Sequence, residues 1–243
     1  MSKILITGAA DGLGLLAAKA LIAQGHDVVL HARNSQRVQQ ARAAAPGATA
    51  VMQADLASEA QVKEMAALAN ELGAFDAIIH NAGVYEAPQS HIFAVNTLAP
   101  YLLTCLIHKP KRLIYLSSGL HNQGQYSFER FTSNGGVSYA DSKLHMVMLA
   151  LAVARRWPEV YANAVNPGWV PTKMGGRNAP DDLQQGYETQ VWLATSNEAA
   201  ATVSGQYFFH QKIQSHNALA DSTQAQDELL EVCASVTGVT FPH

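Results

Sequence analysis

Short apolar runs alternate with stretches of helical periodicity along the chain. Ile4-Leu5-Ile6 is continuously apolar, as in a strand covered on both faces, and Thr7-Gly8-Ala9-Ala10-Asp11-Gly12-Leu13-Gly14 follows at once. Leu13, Leu16, Ala17, Ala20 and Leu21 then recur at helical spacing until Gly25, after which Val28-Val29-Leu30 forms the next apolar run. The pattern predicts a strand, a glycine-rich turn, a helix and a second strand in immediate succession.

The alternation continues downstream. Asn34 or Ser35 is placed to cap a helix through Val38 and Ala41 to about Ala45, which Pro46-Gly47 stops. Thr49 to Ala54 predicts a third strand ending at Asp55-Leu56, and Ser58 with Gln61 reads as a capping box for a helix carrying Val62, Met65, Leu68, Ala69 and Leu72. Gly73 closes that helix. A fourth strand, Ala77-Ile78-Ile79-His80, runs into Asn81-Ala82-Gly83, and a helix is expected from about His91 to Ile107. Leu113 to Leu116 is a fifth strand ending at Ser117-Ser118. A long helix from about Tyr139 to Arg156 precedes a sixth strand, Tyr161 to Val165, and Asn166-Pro167-Gly168; Tyr207-Phe208-Phe209 is a last strand. Strands alternating with helices imply a mostly parallel sheet covered on both faces, with ligands beyond the carboxyl ends of the strands. Those ends carry Gly8, Arg33, Asp55, Asn81, Ser118 and Pro167-Gly168.

Composition narrows the function classes. The 243 residues suffice for one large core, and no linker, repeat or low-complexity tract divides them, so a single domain spanning 1–243 is expected. A net charge of −3 gives no basic footprint for nucleic acid, which points to a small-molecule partner. Cys105 and Cys233 lack metal or redox spacing and read as reduced thiols. None of the ten histidines shows metal-ligand spacing, so no metal site is expected. Met1-Ser2-Lys3 enters a strand directly, and the longest apolar stretch, Met146 to Ala154, is too short to span a bilayer. The expectation is a soluble cytoplasmic protein.

Two features carry chemistry. The glycine-rich turn lets backbone N–H groups approach a ligand, and the helix behind it presents unpaired N–H groups and a partial positive charge suited to a pyrophosphate. Tyr139 and Lys143 lie four residues apart, on one face of a helix. A phenol loses its proton near pH 10, so moving that value to about 7 requires roughly 4 kcal/mol of differential stabilisation. A fixed lysine and a cationic ring beside it are a source of that energy.

The glycine turn, Asn81-Ala82-Gly83, Ser117-Ser118, Tyr139/Lys143 and Asn166-Pro167-Gly168, in this order, resemble the short-chain dehydrogenase/reductase family from Lys3 to about Phe209. The resemblance implies a single-domain, Rossmann-like, doubly wound α/β fold with a parallel sheet of about seven strands. It also implies an NAD(P)-dependent oxidoreductase of carbonyl or alcohol substrates. Tyr139 would be the general acid or base, Lys143 would lower its pKa and hold the nicotinamide ribose, Ser118 would bond the substrate oxygen and Asn96 would hold a relay water. Cofactor contacts would fall on Thr7, Gly8, Asp11, Gly12, Leu13, Gly14, Arg33, Asp55, Leu56, Asn81, Ala82, Gly83, Tyr139, Lys143, Pro167, Gly168, Val170 and Thr172. Ser117-Ser118-Gly119-Leu120-His121 and Gly205-Gln206-Tyr207-Phe208 resemble the retinol-dehydrogenase-like branch.

An acidic residue at the end of the second strand would favour NAD, whereas this chain has Ala32 followed by Arg33, a guanidinium suited to a 2′-phosphate. NADP(H) is therefore expected, with NAD(H) as the alternative. His80 stands where the family commonly has asparagine. The span from Gly119 to Ser138 is long, and the segment between Gly83 and Asn96 is short, leaving monomer and homodimer both open. A substrate lid is expected over about 169–195, with Trp169, Met174, Tyr187 and Trp192 lining an apolar pocket. In a second reading, Tyr187, Val191 and Trp192 form the core face of a covering helix. The rivals to an enzyme of this type are a catalytically silent nicotinamide-binding regulator and a nucleotide-sugar epimerase or dehydratase. Retention of Tyr139, Lys143 and Ser118 weighs against the first, and the short C-terminal region against the second.

Overall fold

Seven short apolar runs pair side by side in parallel. They are β1 (Lys3–Ile6), β2 (Asp27–Ala32), β3 (Ala50–Gln53), β4 (Ala77–His80), β5 (Arg112–Leu116), β6 (Tyr161–Asn166) and β7 (Tyr207–Phe209). An eighth, β8 (Lys212–Ile213), returns antiparallel to β7. The sheet order in this computed structural model, which describes residues 1–126 and 136–242, is β3-β2-β1-β4-β5-β6-β7-β8. The chain begins at the centre, builds outward to β3 and then crosses to β4, which opens a crevice between β1 and β4 at the carboxyl ends.

Alternate residues supply two cores. Leu5, Val29, Ile78, Leu113 and Ala164 face one side, where α3 (Glu59–Glu71), α5 (Ala99–Leu106), α6 (Tyr139–Arg156) and α8 (Thr223–Thr237) cover them. Ile4, Ile6, Val28, Leu30, Ile79 and Ile114 face the other, under α1 (Gly12–Ala23), α2 (Ser35–Ala44) and α7 (Leu183–Thr195). Register aligns the exits: Leu30 and Ile79 both stand opposite Ile6, and Ile114 stands opposite Ile79. The residues that follow these strands therefore emerge on one edge.

Four local features depart from the sequence pattern. Ser58 accepts from the Gln61 amide at 3.5 Å, but the Gln61 carboxamide turns to the Asp55 amide at 2.8 Å, so the reciprocal arm of that capping box is spent on the end of β3. The helix expected from His91 to Ile107 is broken into α4 (Gln89–Phe93), a π-helical turn at Ala94–Leu98, and α5. Pro100 has no N–H to offer the Asn96 carbonyl, and the wider turn accommodates that loss. β8 adds a strand to the expected seven, reached through His210 and Gln211, both at positive φ (48° and 62°). Within the stretch 169–195, Leu183–Thr195 forms a helix, α7. Val191 and Leu193 of α7 are buried in the core with Tyr187 and Trp192 packed against it, which is the covering-helix reading. Of the long span Gly119 to Ser138, residues 127–135 lie outside the described residues.

Candidate active site

The β1–α1 turn is held from several sides. Gly8 sits at φ +65°, and a Cβ there would lie 2.8 Å from the Ala82 Cα. A Cβ on Gly14 would collide with the Asn81 amide and stand 2.7 Å from the Gly8 carbonyl. Asn81 Nδ2 donates to the carbonyls of Thr7 (2.9 Å) and Gly8 (3.1 Å), and the Ala82 amide donates to Thr7 Oγ1 (3.0 Å). Asp11 occupies the N-cap of α1 but makes no side-chain cap bond, so it leaves the first-turn amides uncapped. Its carboxylate instead pairs with Arg37 (2.6 Å) and Lys173 (3.0 Å). Burial opposes that charge, but the hydrogen bonds and charges of Arg37 and Lys173 outweigh it and hold the carboxyl below its usual range.

A cavity of about 570 Å³ runs along this edge of the sheet. Gly8, Asp11, Gly12, Leu13, Arg33, Asp55 and Leu56 line one end, and Asn81, Ala82, Gly83, Tyr139, Lys143, Pro167 and Thr172 line the rest. Six expected residues fall outside the lining. Thr7 and Gly14 are buried behind the turn, and Val170 is buried beside Gly186. Gly168, at φ +83°, turns the chain after β6, with its amide donating to Asn166 Oδ1. Ser118 hydrogen-bonds the Tyr139 phenol, and Asn96 is bonded to Val84 and to Ser142 of α6. Of the aromatic and apolar residues expected around a substrate, Met174 lines the cavity, whereas Trp169 is exposed and spends its indole N–H on the Gly175 carbonyl (2.7 Å).

A complete capping box fixes the start of α6. The Asp141 amide donates to Ser138 Oγ (3.1 Å) and the Ser138 amide to Asp141 Oδ2 (3.0 Å), which sets Tyr139 as the first helical residue. Lys143, one turn on, is 5 % exposed and donates to the Leu116 carbonyl at 2.8 Å. Burial brings its ammonium down to about 8. Burial also pushes the Tyr139 phenol up to about 12, against a lowering hydrogen bond from Ser118. The downward shift expected from charge is thus absent from the protein by itself: desolvation is the larger effect. The ring of Tyr85 meets Tyr139 edge-on, with centroids 4.8 Å apart.

The two serines at the end of β5 divide. Ser117 Oγ is buried and donates to the Lys143 carbonyl (2.7 Å), whereas Ser118 reaches the phenol of Tyr139. The Asn96 carboxamide clamps Val84, accepting from its amide (2.8 Å) and donating to its carbonyl (2.9 Å), and also donates to Ser142 Oγ (3.0 Å). A Cβ on Gly83 would lie 3.4 Å from Lys143 Nζ and 3.5 Å from Asn96 Oδ1, so the Gly83 backbone runs directly beside both groups. Arg37 and Lys173 join the site without appearing among the residues expected from sequence. Arg37 has a local signal, being four residues beyond Arg33 on the first turn of α2; Lys173 has none.

These residues fit a dinucleotide: a glycine cradle with uncapped helix amides lies between arginines at one end and the Tyr139–Lys143 pair at the other. Among the described residues, no cluster suited to a metal is found, and no helix is long and apolar enough to cross a membrane. Residues 2–183 match the family model described as short chain dehydrogenase. An uncharacterized oxidoreductase of Emericella nidulans is 46 % identical over 255 residues, covering 100 % of this chain and 99 % of that protein. An uncharacterized protein from Mycobacterium paratuberculosis superposes with a TM-score of 0.84 at 21 % identity, covering 100 % of this chain and 96 % of that one. The NADPH-bound carbonyl reductase from chicken fatty liver gives 0.69 at 22 % identity, covering 88 % and 99 %.

Proposed function

The chain belongs to the short-chain dehydrogenase family, and from that premise we propose an NADP(H)-dependent oxidoreductase that interconverts a carbonyl and an alcohol, with Tyr139 as general acid or base. The observation that carries this reading is the continuous cavity joining Arg33 and Arg37 to Tyr139 and Lys143. The NADPH-bound carbonyl reductase of the same fold supports it.

A bound nicotinamide dinucleotide supplies or accepts the hydride. Gly8, Gly12, Leu13 and the uncapped start of α1 receive its pyrophosphate, behind which Thr7 and Gly14 hold the turn. Arg33, with Arg37, receives the 2′-phosphate, where Ala32 presents no competing carboxylate. Asp55 and Leu56 border the adenine, Asn81 to Gly83 the ribose, and Pro167, Gly168, Val170 and Thr172 the nicotinamide side. The substrate lid shortens to 169–182, since α7 is packed on the core.

In carbonyl reduction Tyr139 donates a proton to the substrate oxygen. A phenol pushed up to about 12 keeps that proton at neutral pH, the state the donor needs. Ser118 holds the same oxygen. Lys143, still mostly cationic at neutral pH, stabilises the phenolate left behind. Asn96, clamped to Val84, keeps Gly83 and Lys143 in register for a relay water.

The test is a screen of NADPH oxidation across aldehydes, ketones and quinones. Tyr139→Phe is expected to lose about 10²–10⁴ in rate while still binding NADPH. A variant that retains the wild-type rate overturns the assignment, and tight NADPH binding without turnover of any substrate favours the regulator.

A further inference from the structure

His31 lies near the end of β2 with both ring nitrogens engaged. The Gly8 amide donates to Nδ1 at 3.0 Å, and Nε2 lies 2.8 Å from the Ala54 carbonyl. A nitrogen that accepts from an amide carries no proton, and one that faces a carbonyl must carry it. The ring is therefore the neutral Nε2–H tautomer. It is 2 % exposed, and burial disfavours its protonation despite the Ala54 carbonyl and the charge of Asp55. The His31 carbonyl accepts from the Ala9 amide at 2.9 Å, so one residue takes two successive amides of the glycine turn. Its neighbours Val28, Val29, Leu30 and Ala32 are buried and apolar, and strand packing alone gives no reason for an imidazole here.

We propose that His31 is a positioning residue for the dinucleotide site, its ring locking the Gly8 peptide to Ala54 and so fixing the pyrophosphate turn relative to the Asp55-Leu56 wall. Gly8 is then held on both sides, by His31 at its amide and by Asn81 at its carbonyl. This rests on the cofactor reading above.

The experiment compares wild type with His31→Leu and His31→Asn. Leucine removes both hydrogen bonds; asparagine can restore an acceptor for the Gly8 amide. NADPH titration is expected to show Kd raised about tenfold or more in His31→Leu and within about threefold of wild type in His31→Asn, because an unpaired buried peptide group is costly. Two readouts need no cofactor: imidazole ¹⁵N shifts of the Nε2–H tautomer, and Gly8 amide exchange, faster by about tenfold in His31→Leu but not in His31→Asn. If His31→Leu does not fold, the asparagine variant and the tautomer decide. A ring protonated at Nδ1, or an asparagine variant that loses Gly8 protection, overturns the proposal. Failure of wild type to bind NADPH counts against the cofactor reading instead.

Discussion

Lys143 Nζ lies over the ring of Tyr139, 5.4 Å from its centre, while donating to the Leu116 carbonyl at the end of β5. Burial displaces the two groups in opposite directions, the phenol upward and the ammonium downward. Each neutral form is favoured, yet at pH 7 the lysine remains largely charged.

That burial gives Lys143→Met a definite signature. Below pH 8 both the folded and the unfolded chain carry the lysine proton, and the cost of burying it is fully present. Between about 8 and 10.5 the unfolded chain holds a proton the folded chain has shed, so stability rises with pH. Urea unfolding should find Lys143→Met more stable than wild type at pH 7, by up to about 3 kcal/mol, with the gap closing towards pH 10.5. A gap that does not vary with pH rules this out.

The neighbouring serines should separate stability from turnover. Ser117→Ala removes the bond to the Lys143 carbonyl and should cost about 1 kcal/mol in unfolding while largely preserving the rate. Ser118→Ala should cost less than about 1 kcal/mol, yet reduce turnover about 10- to 100-fold. The reverse assignment would follow if Ser117→Ala were the inactive variant.

Asp11 holds Arg37 and Lys173, and its carboxylate adds negative charge to the end of the cavity lined by Arg33. Asp11→Asn should tighten NADPH about three- to tenfold with little effect on NADH, and Arg33→Ala should weaken NADPH about tenfold, both effects shrinking with added salt. Fluorescence titrations with the two cofactors check this. Equal changes for both would show that neither residue reads the phosphate.

The strands are legible in the sequence because a parallel sheet buried on both faces leaves apolar runs such as Ala77-Ile78-Ile79, and Tyr139 and Lys143 because their spacing matches one helical turn. What escapes a reading of the sequence depends on tertiary context. The break at Asn96 follows from Pro100, a residue whose effect falls four positions upstream, and the Asp11–Lys173 pair joins positions 162 residues apart. Charge alone leaves out the desolvation of Tyr139, which only the packed structure reveals. β8 is hidden because its turn places His210 and Gln211, not glycine, at positive φ.

The hairpin formed by β7 and β8 has one more effect. A wide parallel sheet ending in a bare strand would offer free amides and carbonyls to any passing polypeptide. Here the margin is a strand of two residues, Lys212 and Ile213, one of them charged. Little length remains on that flank for another strand to pair with.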